Sequence, residues 1–116
     1  MVTEDDYRTQ LREMSQSGEG MITQHDAMRQ GYTYVDLSKL SLDAETISRI
    51  SGETARKLNV IPVKQDGPNL WVCMEMPPDP KIVDLLSIET SSRIIPVSVM
   101  AKALNLSVSF YYPLAA

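Results

Sequence analysis

The clearest hydrophobic pattern lies between Val60 and Asp79, where two short apolar runs flank Asp66-Gly67-Pro68-Asn69. Val60-Ile61-Pro62-Val63 and Leu70-Trp71-Val72-Cys73-Met74 read as two strands joined through Asp66-Gly67-Pro68-Asn69, where glycine and proline turn the chain. The second strand sets Leu70, Val72 and Met74 on one face and Trp71, Cys73 and Glu75 on the other, so both faces need cover. Met76-Pro77-Pro78-Asp79-Pro80 stops it, and Pro80 pre-sets the first turn of a helix. Ile82, Val83, Leu85 and Leu86 are expected as the buried stripe of that helix, which ends at Glu89-Thr90-Ser91-Ser92.

Upstream, Tyr32, Tyr34 and Val35 to Leu37 favour a short strand, and Ser38 and Ser41 are natural caps. Two short helices follow, over 43–50 and 53–58, broken at Ser51-Gly52, because Ile47 and Ile50, then Ala55 and Leu58, recur three apart. Downstream, Arg93 to Val99 reads as a strand whose Pro96 predicts an edge position or a bulge. Ser98 is expected to cap a last helix over 100–106, with Met100, Ala103 and Leu104 on one side and Tyr111-Tyr112-Pro113 as a terminator.

Residues 1–31 are polar. Ser15 to Gly20 separates two weakly helical pieces, Glu4 to Met14 and Thr23 to Arg29, the second capped by Thr23 with Asp26 three positions on. This segment is expected to form a mobile or loosely docked arm, with a domain over 32–116. The order after the arm is β-α-α-β-β-α-β-α. It predicts an α/β (α+β) fold, a small mixed sheet with helices packed on it.

A chain of 116 residues suffices for one domain with its own core. Seven methionines against one Phe and one Trp make that core aliphatic and adaptable. Fifteen acidic against 11 basic residues give a net charge of -4, which disfavours a nucleic-acid partner, since phosphates are held by clustered Lys and Arg. No basic start followed by an apolar stretch marks a secretory signal, and no run approaches the roughly 20 apolar residues of a membrane span. One cysteine excludes an intramolecular disulfide, so a cytoplasmic setting is expected.

Catalytic chemistry finds few carriers. No G-x-x-x-x-G-K loop is present to cradle phosphates. A single His25 and a single Cys73 cannot make a zinc set, although an all-carboxylate Mg²⁺ or Ca²⁺ site stays open. His25 sits in the arm, away from Cys73, which reads as a core thiol. Glu75, Asp79 and Asp84 are candidate paired acids, with helix capping as the alternative. Trp71 suits either a pocket wall or helix cover, and Arg8, Arg12 and Arg29 are the cations available to an anion in the arm.

One family shares the ordered set Tyr34-Val35-Asp36-Leu37-Ser38, Ala55-Arg56-Lys57-Leu58-Asn59-Val60-Ile61-Pro62-Val63, Leu70-Trp71-Val72-Cys73-Met74 and Pro77 to Pro80. Over residues 32–112 the chain resembles the N-terminal domain of type II secretion and type IV pilus assembly ATPases. The resemblance implies a cytoplasmic interaction module. Its partner would be the cytoplasmic part of an inner-membrane platform protein, and ATP hydrolysis would belong to a separate C-terminal domain. Neither a cofactor nor a metal is implied for this domain.

Some members of that family bind cyclic di-GMP through R-L-G-x-x-L-V-x-x-G-x-I. Gly20-Met21-Ile22 resembles its end, but the motif's Arg then falls on Leu11, its Gly on Glu13, and its Leu and Val on Gln16 and Ser17. Arg8, Arg12, Gly18 and Gly20 are the candidate dinucleotide residues under this alternative. A small carboxylate-dependent enzyme is the third reading.

Overall fold

The computed structural model describes residues 3–16 and 18–113. Ser17, on which the motif's Val falls, lies outside the described residues, as do residues 1, 2 and 114–116 of the expected arm and domain. Two helices, α1 (Glu4–Ser15) and α2 (Gly18–Gln30), precede strand β1 (Thr33–Tyr34) and a 3-10 turn (Leu37–Lys39). Then come α3 (Ala44–Ile47), α4 (Gly52–Leu58), β2 (Ile61–Asp66), β3 (Asn69–Cys73), α5 (Pro80–Thr90), β4 (Arg93–Ser98) and α6 (Ala101–Tyr111). The β-α-α-β-β-α-β-α order expected after the arm is the order found.

The strands form one mixed sheet in the order β1-β4-β3-β2, with β1, β4 and β3 parallel and β2 antiparallel to β3. Gly67, at φ 57, and Pro68 make the tight link between Asp66 and Asn69. Leu70, Val72 and Cys73 are fully buried, and Trp71 is half-buried, so both faces of β3 are covered as its composition requires. Asp43 and Ser51 cap α3 and α4, accepting hydrogen bonds from Thr46 N and Thr54 N.

β4 is an inner strand, not an edge. Pro96 pairs with Val72 of β3, while β1 reaches β4 only at Val97 and Ser98. The stretch around Pro96 therefore has a ladder neighbour on one side only, which is why a residue without an N–H is tolerated there. Ser98 does not cap α6. Its backbone is still in the strand, and the cap position falls to Met100, which makes no side-chain cap bond. The helix runs on to Tyr111, past the expected stop at residue 106.

The N-terminal segment is not loosely docked. Tyr7 and Leu11, four apart on α1, are each 1% exposed and belong to the main core. Tyr7 stacks on Phe110 with ring centroids 4.2 Å apart and meets Tyr111 edge-on at 5.6 Å. Its hydroxyl shares a 2.8 Å hydrogen bond with Ser107 Oγ. Burial pushes the Tyr7 phenol up to about 12. The second helix starts at Gly18, earlier than expected, and Thr23 is inside it, its hydroxyl donating to Glu19 O at 2.9 Å, so it caps nothing.

Candidate interaction surfaces

Both sheet edges are closed to strand addition. β2 carries Pro62 without an N–H, an irregular register between Pro62 and Lys64, and an exposed Lys64, and α3 packs beside it. β1 is two residues long and lies against α2. Two helical faces carry exposed apolar side chains.

The first face is on α5. Asp79 Oδ1 accepts from Lys81 N at 2.9 Å, Pro80 fills the first turn, and Ser91 closes the helix in the left-handed region at φ 53. Leu86 and Thr90 are buried, with Ile82 and Val83 half-buried beside them. Leu85, expected in the buried stripe, is 56% exposed, and Ile88 is 78% exposed. Successive residues turn by about 100°, so Leu85 is rotated clear of the side that Ile82, Val83 and Leu86 share. Leu85 and Ile88, three apart, lie together on the outside with exposed Lys81 and Asp84 around them. Counting the rotation from Leu86 would have flagged Ile88, which composition alone did not.

The second face is on α2. Gly20 and Ala27 are buried, while Met21, Ile22 and Met28 are 73%, 65% and 69% exposed. His25 and Arg29 are exposed on the same outward side.

The dinucleotide candidates have other attachments. Arg8 Nη1 donates to Leu40 O at 2.7 Å and its guanidinium carbon lies 5.9 Å from the Tyr7 ring centre, so Arg8 ties α1 to the chain after the 3-10 turn. Arg12 is exposed, and its carbonyl accepts from Ser15 Oγ and Gln16 N. Gly18 opens α2 with free space where a Cβ would stand. Gly20 is buried, and a Cβ there would stand 3.4 Å from Ser15 O, so it serves the α1–α2 corner.

A polar cleft of about 470 Å³ is lined by Asp43, Arg49, Gln65 and Ser92, among others. Two of its charged groups, Asp43 and Arg49, are engaged within the fold, and a third, Glu45, is exposed. Hydrogen bonds from Thr46, backbone first, pull the Asp43 carboxyl below its ordinary value. Arg49 Nη2 donates to Thr90 O at 2.6 Å and Ser92 Oγ at 3.0 Å. Glu75 accepts from Asn59 Nδ2, Asp79 caps α5, and Asp84 is exposed. Cys73 is fully buried, which pushes its thiol up, whereas His25 is exposed on α2. The Trp71 indole Nε1 is buried with no partner among the described residues. Among those residues no three His, Cys, Asp or Glu converge to hold a metal, and no helix is long and apolar enough to cross a membrane.

Residues 30–114 match the model of the MshEN domain. Among solved structures, one of MshE with cdg matches with a TM-score of 0.69 at 16% identity, over 96% of this chain and 91% of that one. Two crystal forms of the N-terminal domain of XpsE match with TM-scores of 0.65 and 0.62 at 15% and 14% identity. They cover 88% and 85% of this chain and 72% and 70% of theirs. No curated protein matches. At such identities the structural likenesses establish the fold, and it is the family match over most of the chain that shows the chain belongs to the MshEN domain family, in agreement with the resemblance to N-terminal domains of type II secretion and type IV pilus assembly ATPases.

Proposed function

We propose that this chain is a non-catalytic interaction module that docks, in the cytoplasm, onto the cytoplasmic part of an inner-membrane platform protein through the outward face of α5. The observation that carries the proposal is the exposure of Leu85 and Ile88 side by side on a well-capped helix. Apolar side chains left in water on a rigid element, rimmed by charges such as Lys81 and Asp84, fit a contact of the helix-face kind. α5 also falls within the stretch matched by the family model, whereas α2 precedes nearly all of it. Any ATP hydrolysis is assigned to a separate C-terminal domain. Mixing this chain with the platform protein's cytoplasmic domain is expected to give a complex. Absence of binding at tens of micromolar contradicts the proposal.

Cyclic di-GMP binding is the second reading, favoured by the likeness to MshE, whose structure is with cdg. It would draw on Arg8, Arg12, Gly18 and Gly20, of which Arg8 and Gly20 already have structural attachments. Calorimetry with the dinucleotide decides it: no heat at high micromolar ligand removes this reading. Carboxylate catalysis has less support, because among its candidate acids Asp79 caps α5, Glu75 accepts from Asn59 Nδ2 and Asp84 is exposed.

A further inference from the structure

We infer that the cleft beside α2, at the carboxyl ends of β3 and β4, binds a free α-amino acid with an aliphatic side chain. The cleft holds about 340 Å³ and is lined by Asp26 and Gln30 of α2, Glu75 and Met76 after β3, Ser98 at the end of β4 and Ala101 at the start of α6. Parallel strands offer ligands this end of the sheet, where loops and a helix N-terminus converge. The volume lies at the low end of the roughly 300–1,000 Å³ of small-molecule sites, so the ligand is small. None of Arg8, Arg12, Gly18, Gly20, Leu85 or Ile88 lines the cleft, which keeps it apart from both surfaces considered above.

Ser98 is the residue that asks for a ligand. It is 3% exposed, and its hydroxyl has no hydrogen-bond partner among the described residues, whereas the buried hydroxyls of Thr90, Ser92 and Ser107 all have one. A buried polar group without a partner is uncommon and costly. The Ser98 carbonyl is spent on the sheet, accepting from Val35 N at 3.0 Å, which leaves the hydroxyl to the cleft. Next to it α6 starts at Met100 without a side-chain cap bond, so the N–H groups of its first turn have no cap acceptor. A hydroxyl donor beside an uncapped helix start suits a carboxylate.

Charge then excludes a simple anion. Asp26 and Glu75 both line the cleft, and no Lys or Arg does. The Asp26 carboxylate makes no hydrogen bond or ion pair among the described residues, and Glu75 meets only the neutral Asn59 Nδ2, at 3.3 Å. Lys102, in the first turn of α6, pairs with Glu19 at 3.3 Å instead. The carboxylates therefore call for a cation while Ser98 and α6 call for an anion, and an α-amino acid carries an ammonium and a carboxylate on one carbon. Ala27, Val99 and Leu104, all buried, and half-buried Met76 supply an apolar lining for its side chain.

The test titrates L-leucine into the intact chain and follows amide chemical shifts by NMR. Saturable shifts centred on Asp26, Ser98 and Ala101 are expected at ligand concentrations up to about 10 mM. Isopentylamine, which lacks the carboxylate, and isocaproate, which lacks the ammonium, are each expected to bind at least about tenfold more weakly. Ser98→Ala and Asp26→Asn are each expected to weaken leucine binding about tenfold by removing one partner of the zwitterion. Asp26 is exposed, so its substitution keeps the test open even if Ser98→Ala perturbs the fold, which circular dichroism checks. Leu85→Ser/Ile88→Ser is expected to bind leucine as wild type does, separating this site from docking through α5. No saturable shift with leucine, a half-ligand that binds as tightly as leucine, or unchanged affinity in a folded Ser98→Ala or Asp26→Asn protein overturns the inference.

Discussion

Tyr7 and Ser107, a hundred positions apart in sequence, share a buried 2.8 Å hydrogen bond that fastens the first helix to the last. The ring beneath the hydroxyl stacks on Phe110, so one side chain joins α1 to α6 by both a polar and an aromatic contact. Tyr7→Ala is expected to destabilise the protein by about 3–5 kcal/mol, as large-to-small core changes do. Tyr7→Phe is expected to lose about 1–2 kcal/mol by leaving the fully buried Ser107 hydroxyl unpaired, and adding Ser107→Ala should recover part of that loss. Urea denaturation of the four proteins measures all three terms. A Tyr7→Ala protein as stable as wild type would return α1 to the status of a loose arm.

The same phenol makes stability sensitive to alkali. Its folded value of about 12 lies above the ordinary 10.0 because burial disfavours the phenolate. The folded state therefore holds the proton more tightly than the unfolded chain. The resulting stabilisation is complete below pH 10 and is lost as the pH climbs from 10 toward 12. Burial raises Tyr112 and Tyr34 in the same direction. Urea midpoints measured between pH 9 and pH 11.5 should fall with pH, and the fall should be shallower in Tyr7→Phe.

Much of the fold was legible because it is written in short-range pattern. The β2–β3 hairpin follows from two apolar runs around Gly67-Pro68, and α5 follows from Asp79-Pro80 and the spacing of Ile82, Val83 and Leu86. What escaped was set by partners distant in sequence. A polar helix with two apolar anchors looks unattached until Phe110 and Ser107 are placed against Tyr7. Pro96 reads as an edge signal, and only the shortness of β1 explains its place on an inner strand. The proposed α5 surface was obscured for a different reason. Leu85 belongs to a run of four apolar residues broken only by Asp84, and hydrophobicity alone does not say which of them the body covers.

Ser91 closes α5 in the left-handed region at φ 53, is exposed, and makes no side-chain hydrogen bond among the described residues. L-residues other than glycine occupy that region at a cost of roughly 1–2 kcal/mol, partly offset by the greater freedom of glycine in the unfolded chain. Ser91→Gly is therefore expected to stabilise by about 0.5–1 kcal/mol, and Ser91→Val to destabilise. Thermal melts of the two variants give opposite signs if the cap geometry is as described.

Cys73 is enclosed on all sides and its thiol is held protonated by burial. Ellman's reagent is expected to leave it unmodified in native buffer over hours and to titrate one thiol per chain in guanidinium. Rapid labelling of the native protein would mean that β3 opens far more readily than its burial implies.

Docking through α5 is tested most directly by isothermal titration of the platform protein's cytoplasmic domain into wild type and into Leu85→Ser/Ile88→Ser. Saturable one-to-one binding by wild type, weakened at least about tenfold in a variant that keeps its circular dichroism and melting temperature, is the predicted result. Equal affinity of the two proteins would contradict the assignment of the surface, and no heat from either would contradict docking itself.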